Sequence, residues 1–316
     1  MTTMTPQYIH NLNVPAGAVD VVIDTDTFNE IDDQFAIAYL LASSHRLHLQ
    51  ALYAAPFFNS HSSSPEDGME KSHEEILRLL ELTGQQDLVP VTYKGSRTYL
   101  PDESTPVPSD AARDLVIRAC AHSPEQPLYV VAIGAITNVA SALLLQPEIA
   151  DSIVVVWLGG HGRECPHNRE FNLIQDVAAA RVLFKSGAPV VQLPCQGVVS
   201  EFSISLAEME YYLTGKNALC DFLVGRVRKE VSSYARNLVV SRVLWDVTPV
   251  AWLLNDNERF LCARLASLPV PEYDGYCAYD PGRLIQYVYA VKRDALATDL
   301  FVKLTGGACF QESLIP

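Results

Sequence analysis

Five carboxylates crowd into ten residues directly after an early apolar run: Asp24, Asp26, Glu30, Asp32 and Asp33 follow Val21-Val22-Ile23. Like charges this close repel, and the usual remedies are a bound cation or carboxyls that hold their protons. Oxygen ligands without a His or Cys cluster call for a hard ion, Ca2+ or Mg2+. Asp24 and Asp26 stand two apart, so they project from the same side of a strand end. Asp32 and Asp33 fall at the start of the next helix, where the helix dipole favours negative charge. A structural explanation competes: Asp24 ends the strand, Asp32 caps the helix, and the others are solvated. That explanation suits any single Asp better than it suits the whole cluster.

Such a cluster needs a scaffold, and the chain alternates short β-branched runs with helical stretches. Strand-like runs cover residues 21–23, 47–54, 129–133, 153–158 and 190–193. Helical spacing covers 33–42, 69–82, 137–145 and 176–185, and the pattern from 206 to 254 is mostly helical. Continuous apolar strands bounded by Gly mark a sheet covered on both faces. The alternation predicts right-handed βαβ units and an open, mostly parallel, Rossmann-like α/β sheet flanked by helices. Ligands of such sheets bind outside the carboxyl ends of the strands, which is where the acidic turn falls. Residues 285–291 alternate like a late edge strand. Residues 59–67 and 96–109 read as polar, Pro-containing loops.

At about 150 residues per domain, 316 residues allow two domains, but large α/β folds also reach this length. No repeat, low-complexity tract or linker divides the chain, so one domain over 1–316 is expected. With 23 Lys and Arg against 37 Asp and Glu, the net charge of −14 argues against nucleic acid or an anionic membrane as main partner. Seven cysteines (120, 165, 195, 220, 262, 277 and 309) stand singly, with neither zinc-site nor disulfide-framework spacing. No basic stretch leads into an apolar core near the start, and no apolar run approaches 18 residues. A cytoplasmic location is the expectation.

Two enzyme families place an acidic turn after a first strand. Asp24-Thr25-Asp26-Thr27 resembles the DxDxT motif of haloacid-dehalogenase-like phosphatases, which would make Asp24 a nucleophile beside Mg2+. That family's later acidic pair is missing, and the pair here comes too early. More of the chain, from Asp20 to about Leu304, resembles the inosine-uridine-preferring nucleoside hydrolases. The resemblance rests on motifs in order: Asp24-Thr25-Asp26…Ile31-Asp32-Asp33, Val89-Pro90-Val91-Thr92-Tyr93-Lys94-Gly95, Gly134-Ala135-Ile136-Thr137-Asn138-Val139-Ala140, Glu170-Phe171-Asn172…Asp176 and Trp245-Asp246-Val247-Thr248-Pro249.

The resemblance implies a set of roles. Asp26, Asp33 and Asp246 would hold Ca2+ through side chains and Thr137 through its carbonyl. Asp32, Asn59, Glu170 and Asn172 would hydrogen-bond ribose hydroxyls, and Phe171 would lie near the base. Breaking an N-glycosidic bond passes through an oxocarbenium-like state that surrounding carboxylates stabilise. Asp26 is the candidate general base for a water whose pKa the cation lowers. The products would be free base and ribose, and the enzyme a homodimer or homotetramer.

The chain departs from the family pattern twice. The stretch from Asp26 to Asp32 is two residues longer, with Thr27, Phe28, Asn29 and Glu30 replacing a Pro-Gly turn. Trp245 replaces the His that protonates the leaving base in many members. A Trp before the last Asp resembles the purine-specific branch, where an aromatic ring stacks on the base. Trp245 is therefore assigned a catalytic role and purine preference is expected, against the alternative of a core residue. A Mg2+-dependent phosphatase-like enzyme remains an alternative, as does a calcium-dependent nucleoside-binding protein that has lost catalysis.

Other features are read as structural. His73-Glu74 lacks the second His of a zincin motif. His61, His161 and His167 are expected on surface loops, and Cys195 as a small apolar residue. Tyr93, Tyr99 and Tyr234 are candidates for the base pocket that sequence does not separate.

Overall fold

The computed structural model describes residues 4–235 and 239–307; Cys309 and the side chain of Tyr234 lie outside the described residues. The strands are β1 (Val19–Thr25), β2 (Leu47–Ala54), β3 (Thr92–Lys94), β4 (Leu128–Ala132) and β5 (Ile153–Leu158). They continue with β6 (Val190–Leu193), β7 (Ser203–Ser205), β8 (Ser241–Val243), β9 (Leu261–Pro271) and β10 (Cys277–Val291). The helices begin with α1 (Pro6–Asn11), α2 (Asp32–Leu41), α3 (Pro65–Leu82), α4 (Asp110–Cys120) and α5 (Thr137–Leu145). The remainder are α6 (Phe171–Gln175), α7 (Val177–Ser186), α8 (Leu206–Leu213), α9 (Ala218–Tyr234), α10 (Val247–Trp252) and α11 (Arg293–Leu304).

Eight strands form one sheet in the order β3-β2-β1-β4-β5-β6-β10-β9, parallel except for the antiparallel β9–β10 pair. Successive side chains of a strand face opposite ways. Accordingly Val21, Ile23, Val131, Val156 and Val191 pack with α2, α3, α8, α9, α10 and α11. Val22, Val130, Val155, Trp157 and Val190 pack with α4, α5 and α7 on the other face. This is the expected α/β architecture, a single domain with helices on both faces of one mostly parallel sheet.

Two local expectations need correction, on residues 285–291 and on the loop 59–67; the mostly helical stretch 206–254 and the helix start at Asp32 gain detail. Residues 285–291 belong to the long strand β10, which is internal; the edge is β9, whose register with β10 is broken at a bulge between Asp280 and Leu284. The stretch 206–254 contains β8, which pairs with β7 in a second, two-stranded sheet. The third helix starts at Pro65, inside the expected loop, because Ser64 accepts the Asp67 N–H and Pro occupies its first turn. The residue preceding α2 is Ile31, so Asp32 lies inside the first turn and does not cap it.

Candidate active site

The carboxyl ends of β1, β4, β5 and β6 open into a cavity of about 250 Å³. Its wall includes Asp26 beyond β1, Ile133 beyond β4, Leu158 and His161 at the end of β5, and Cys195 and Gln196 beyond β6. Helix α6 adds Phe171 and Asn172 with Glu170 at its start, and the turn into α10 adds Trp245 and Asp246. Asn29, Glu30 and Asp32 complete the acidic side, so two of the four residues that replace the Pro-Gly turn face the cavity.

Asp32, Asp33 and Asp246 each bring a carboxylate oxygen within 4.8 Å of the others, all buried. The Asp246 N–H donates to Asp32 at 3.3 Å, joining segments 214 residues apart. Thr25 Oγ1 donates to Asp33 at 2.5 Å. Asp26 is 1% exposed, and its Oδ2 has no hydrogen-bond partner among the described residues. Burial, reinforced by Asp33, Glu30 and Asp32, pushes Asp26 well above the usual carboxylate range. Burial, with Asp32 and Asp33 next to it, does the same to Asp246. Buried acids facing one another, one with an orphaned oxygen, form a donor set that fits a hard divalent cation.

Asp24 has a different task. Its side chain accepts from Asn138 Nδ2 at 2.7 Å, on the α5 face of the sheet, and it does not line the cavity. Thr137, at the start of α5, donates its hydroxyl to Asp176 at 2.7 Å, which leaves its carbonyl as the group with which it could serve an ion. It is not part of the cavity wall. The turn before it does approach the site, since a Cβ on Gly134 would stand 3.3 Å from Asp26 Cγ.

Glu170 is 3% exposed and caps α6, accepting the N–H groups of Asn172 and Leu173 at 2.9 Å and of Gly160 at 3.0 Å. Burial nonetheless pushes it up to about 7. The Asn172 amide donates to the carbonyls of Ile133 at 3.2 Å and Leu158 at 3.0 Å, tying the ends of β4 and β5 together. Asn59 does not reach the wall: its amide donates to Asn29 Oδ1 at 2.5 Å, and Asn29 stands on the wall in its place. Trp245 is half-buried, packs against the core and faces the cavity with Phe171.

Three groups went unassigned in the sequence. Arg242 on β8 pairs with Glu30 and with Glu230 at 3.1 Å, and reaches Asp32 at 3.5 Å. Burial works against its charge, but Asp32, Glu30 and Glu230 outweigh that and hold it firmly protonated. His161 is 9% exposed and lines the cavity, contrary to the surface loop expected for it. Gln196 joins the wall from the loop after β6. His61 and His167 are exposed, as expected. Cys195 lines the cavity, where burial and then Glu170 push its thiol pKa up, an environment that works against a thiolate nucleophile. Tyr99 donates to Gln175 and the Tyr93 ring packs 6.1 Å from Tyr53; neither lines the cavity.

The family model of the inosine-uridine preferring nucleoside hydrolases matches residues 21–295. The chain belongs to this family. It is an enzyme that hydrolyses N-glycosidic bonds. The pyrimidine-specific ribonucleoside hydrolase RihA of Salmonella paratyphi A is 28% identical over 268 residues, covering 75% of this chain and 80% of that protein. The purine-preferring ribonucleoside hydrolase from Gardnerella vaginalis shares the fold with a TM-score of 0.74 at 21% identity, covering 92% of this chain and 99% of that one. The plant nucleoside hydrolase PpNRh1 superposes with a TM-score of 0.72 at 20% identity, covering 92% of this chain and 99% of that one.

Proposed function

We propose that this nucleoside hydrolase is calcium-dependent and prefers purine ribonucleosides, releasing free base and ribose. The observation that carries the reading is one cavity holding Asp26, Asp32 and Asp246 together with the rings of Phe171 and Trp245, with Asp33 packed against the same carboxylates. Asp26, Asp33 and Asp246 would hold the cation with the Thr137 carbonyl; all are hard oxygen donors, which suits Ca2+. When bound, the cation gathers ribose hydroxyls and makes a water more acidic.

The chain's own residues supply the rest. Asp26, with an oxygen free of other partners, accepts the proton of the attacking water. Asp32, Glu170 and Asn172 hold ribose hydroxyls, with Asn59 acting through Asn29. The carboxylates of Asp32 and Glu170 stabilise positive charge developing on the sugar. Trp245 and Phe171 offer apolar faces to the leaving base, and a purine presents the larger surface for stacking. Relatives of both base preferences are known, so the purine assignment rests on Trp245.

The reading also expects a homodimer or homotetramer in the cytoplasm that binds neither nucleic acid nor membrane. Among the described residues no helix is long and apolar enough to cross a membrane. Reducing-sugar release from inosine, adenosine, guanosine, uridine and cytidine, with and without a calcium chelator, tests the assignment. Ribose from the purine nucleosides, lost on chelation and in Asp26→Ala, is the expected result. Silence on all five sinks it, and uridine turned over as fast as inosine removes the purine preference.

A further inference from the structure

The cavity wall carries both signs of charge. Asp26, Glu30, Asp32, Glu170 and Asp246 contribute carboxyls, whereas the β5–α6 loop contributes His161 and Arg169. Arg169 sits at the mouth, exposed, with one Nη donating to the Asp274 carbonyl at 2.7 Å. Its stem lies on Gly275 at φ +89°, where a Cβ would stand 2.6 Å from Arg169 Cγ. Among the described residues it has no carboxylate partner. A guanidinium has five donors, so most of this one remains free beside an otherwise acidic cavity.

His161 accepts the Gln196 N–H at Nδ1 over 3.4 Å, which leaves Nε2 to carry a proton. Its ring lies 5.8 Å from that of His167. No carboxylate figures among the charges acting on it: burial and His167 draw its pKa down, against the nearby Arg169 carbonyl. The mouth therefore carries one positive charge, the Arg169 guanidinium, with the neutral His161 ring beside it as a hydrogen-bond donor, a pairing suited to an anion brought by the ligand.

The position indicates where that anion is attached. Strands β1, β4 and β5 are neighbours, so the carboxyl ends of β1 and β5, which carry the Asp26 turn and the His161 loop, stand two strand spacings, about 10 Å, apart. That distance is comparable with the length of a ribose 5-phosphate. The Asp cluster takes the 2′ and 3′ hydroxyls in the function proposed above, on which this inference rests. The 5′ oxygen is then directed to Glu170 and to Arg169 immediately before it.

We propose that Arg169 and His161 form an anion subsite, and that the enzyme cleaves ribosides carrying a phosphate on the ribose 5′ oxygen. In the step implied, the C1′–N bond breaks and its electron pair leaves with the base. The water oxygen bonds to C1′, one water proton ends on the base, and the phosphate is untouched. The products are free base and ribose 5-phosphate.

The test compares kcat/KM for inosine with inosine 5′-monophosphate and for uridine with uridine 5′-monophosphate, with orotidine as a base-borne acid. The calcium-loaded, full-length enzyme is used throughout. The phosphorylated substrate of the better pair should be favoured at least tenfold. Arg169→Ala should lower that ratio about ten- to hundredfold, the worth of a charge-assisted contact. Arg169→Lys should restore part of it, and His161→Gln should lower it less. A nucleoside cleaved as well as its 5′-phosphate, or a ratio indifferent to Arg169→Ala, overturns the proposal. Orotidine as the best substrate overturns it too, because the anion would then sit on the base. Calorimetry of ribose 5-phosphate against ribose reads the subsite without turnover. Tighter binding that weakens in Arg169→Ala supports the subsite even if hydrolysis of every substrate fails, and equal binding of the two sugars counts against it.

Discussion

Replacing Asn138 with Ala tests whether the acidic turn is aimed from behind. Asn138 is fully buried in α5 and spans three segments. Its amide donates to Asp24 at 2.7 Å and to the Ala54 carbonyl at 3.2 Å, and its Oδ1 accepts the Ser96 N–H at 2.7 Å. Asp24 Oδ2 already lacks a partner, so Asn138 supplies the contact that anchors this carboxyl. Asn138→Ala orphans at least the Ser96 N–H and Asp24 Oδ1. At about 1–3 kcal/mol for each buried group left unpaired, the loss comes to about 2–6 kcal/mol. At about 2–4 °C per kcal/mol in large domains, the thermal midpoint should fall by roughly 4–24 °C. Asn138→Asp keeps an acceptor for Ser96 but sets a second carboxyl against Asp24. Two facing carboxyls favour sharing a proton in the folded state, so this variant should lose further stability as pH rises. Urea and thermal unfolding of both variants at pH 6 and pH 8, with activity measured below the midpoint, give the answer. A midpoint within about 2 °C of wild type for Asn138→Ala, with undiminished turnover, would refute the reasoning.

The other predictions concern the cavity itself. Trp245→Ala should reduce purine turnover relative to pyrimidine by roughly tenfold, the scale of one stacking contact, as read from kcat/KM on inosine and uridine. Chelation should lower the thermal midpoint, and re-added Ca2+ at 100 times its Kd should restore about 2.7 kcal/mol; scanning calorimetry showing no shift would discount the ion. Glu170 is pushed up to about 7 by burial, above the ordinary 4.5 of a glutamate. A raised carboxyl stabilises the fold below its unfolded pKa, and that contribution fades as pH rises through about 7. Between pH 5 and 8 the wild type should therefore lose up to about 3 kcal/mol relative to Glu170→Gln, measurable by urea titration at each pH.

The legible parts of this protein were those where one residue pattern has one outcome. Apolar runs such as residues 153–158 had to be covered on both faces, and five carboxylates after β1 needed a common explanation. Strand β9 was hidden because Pro269 and Pro271 argue against a strand, and only its edge position tolerates them. The Asp280-Pro281-Gly282 stretch reads as a turn but is absorbed as a bulge in β10. Within the site, Asp26, Glu170 and Asp246 could be named from local motifs. Arg242, His161 and Gln196 could not, because each is brought in by a loop or short strand whose course depends on the rest of the fold. Asn59 stands behind Asn29, to which its amide donates, a contact that depends on the course of the lengthened turn.

The contact between Asp32 and Asp246, made across 214 residues, also sets an order of events during synthesis. The first strands emerge early with their carboxylates already crowded, yet the last of those carboxylates is translated near the end. Strand β6 likewise waits with an open edge until β10 is made. A nascent chain therefore presents a bare acidic turn and an unpaired strand for most of its time on the ribosome. On the cation-binding reading proposed above, a product truncated before Asp246 should be recognisable by its failure to retain the ion.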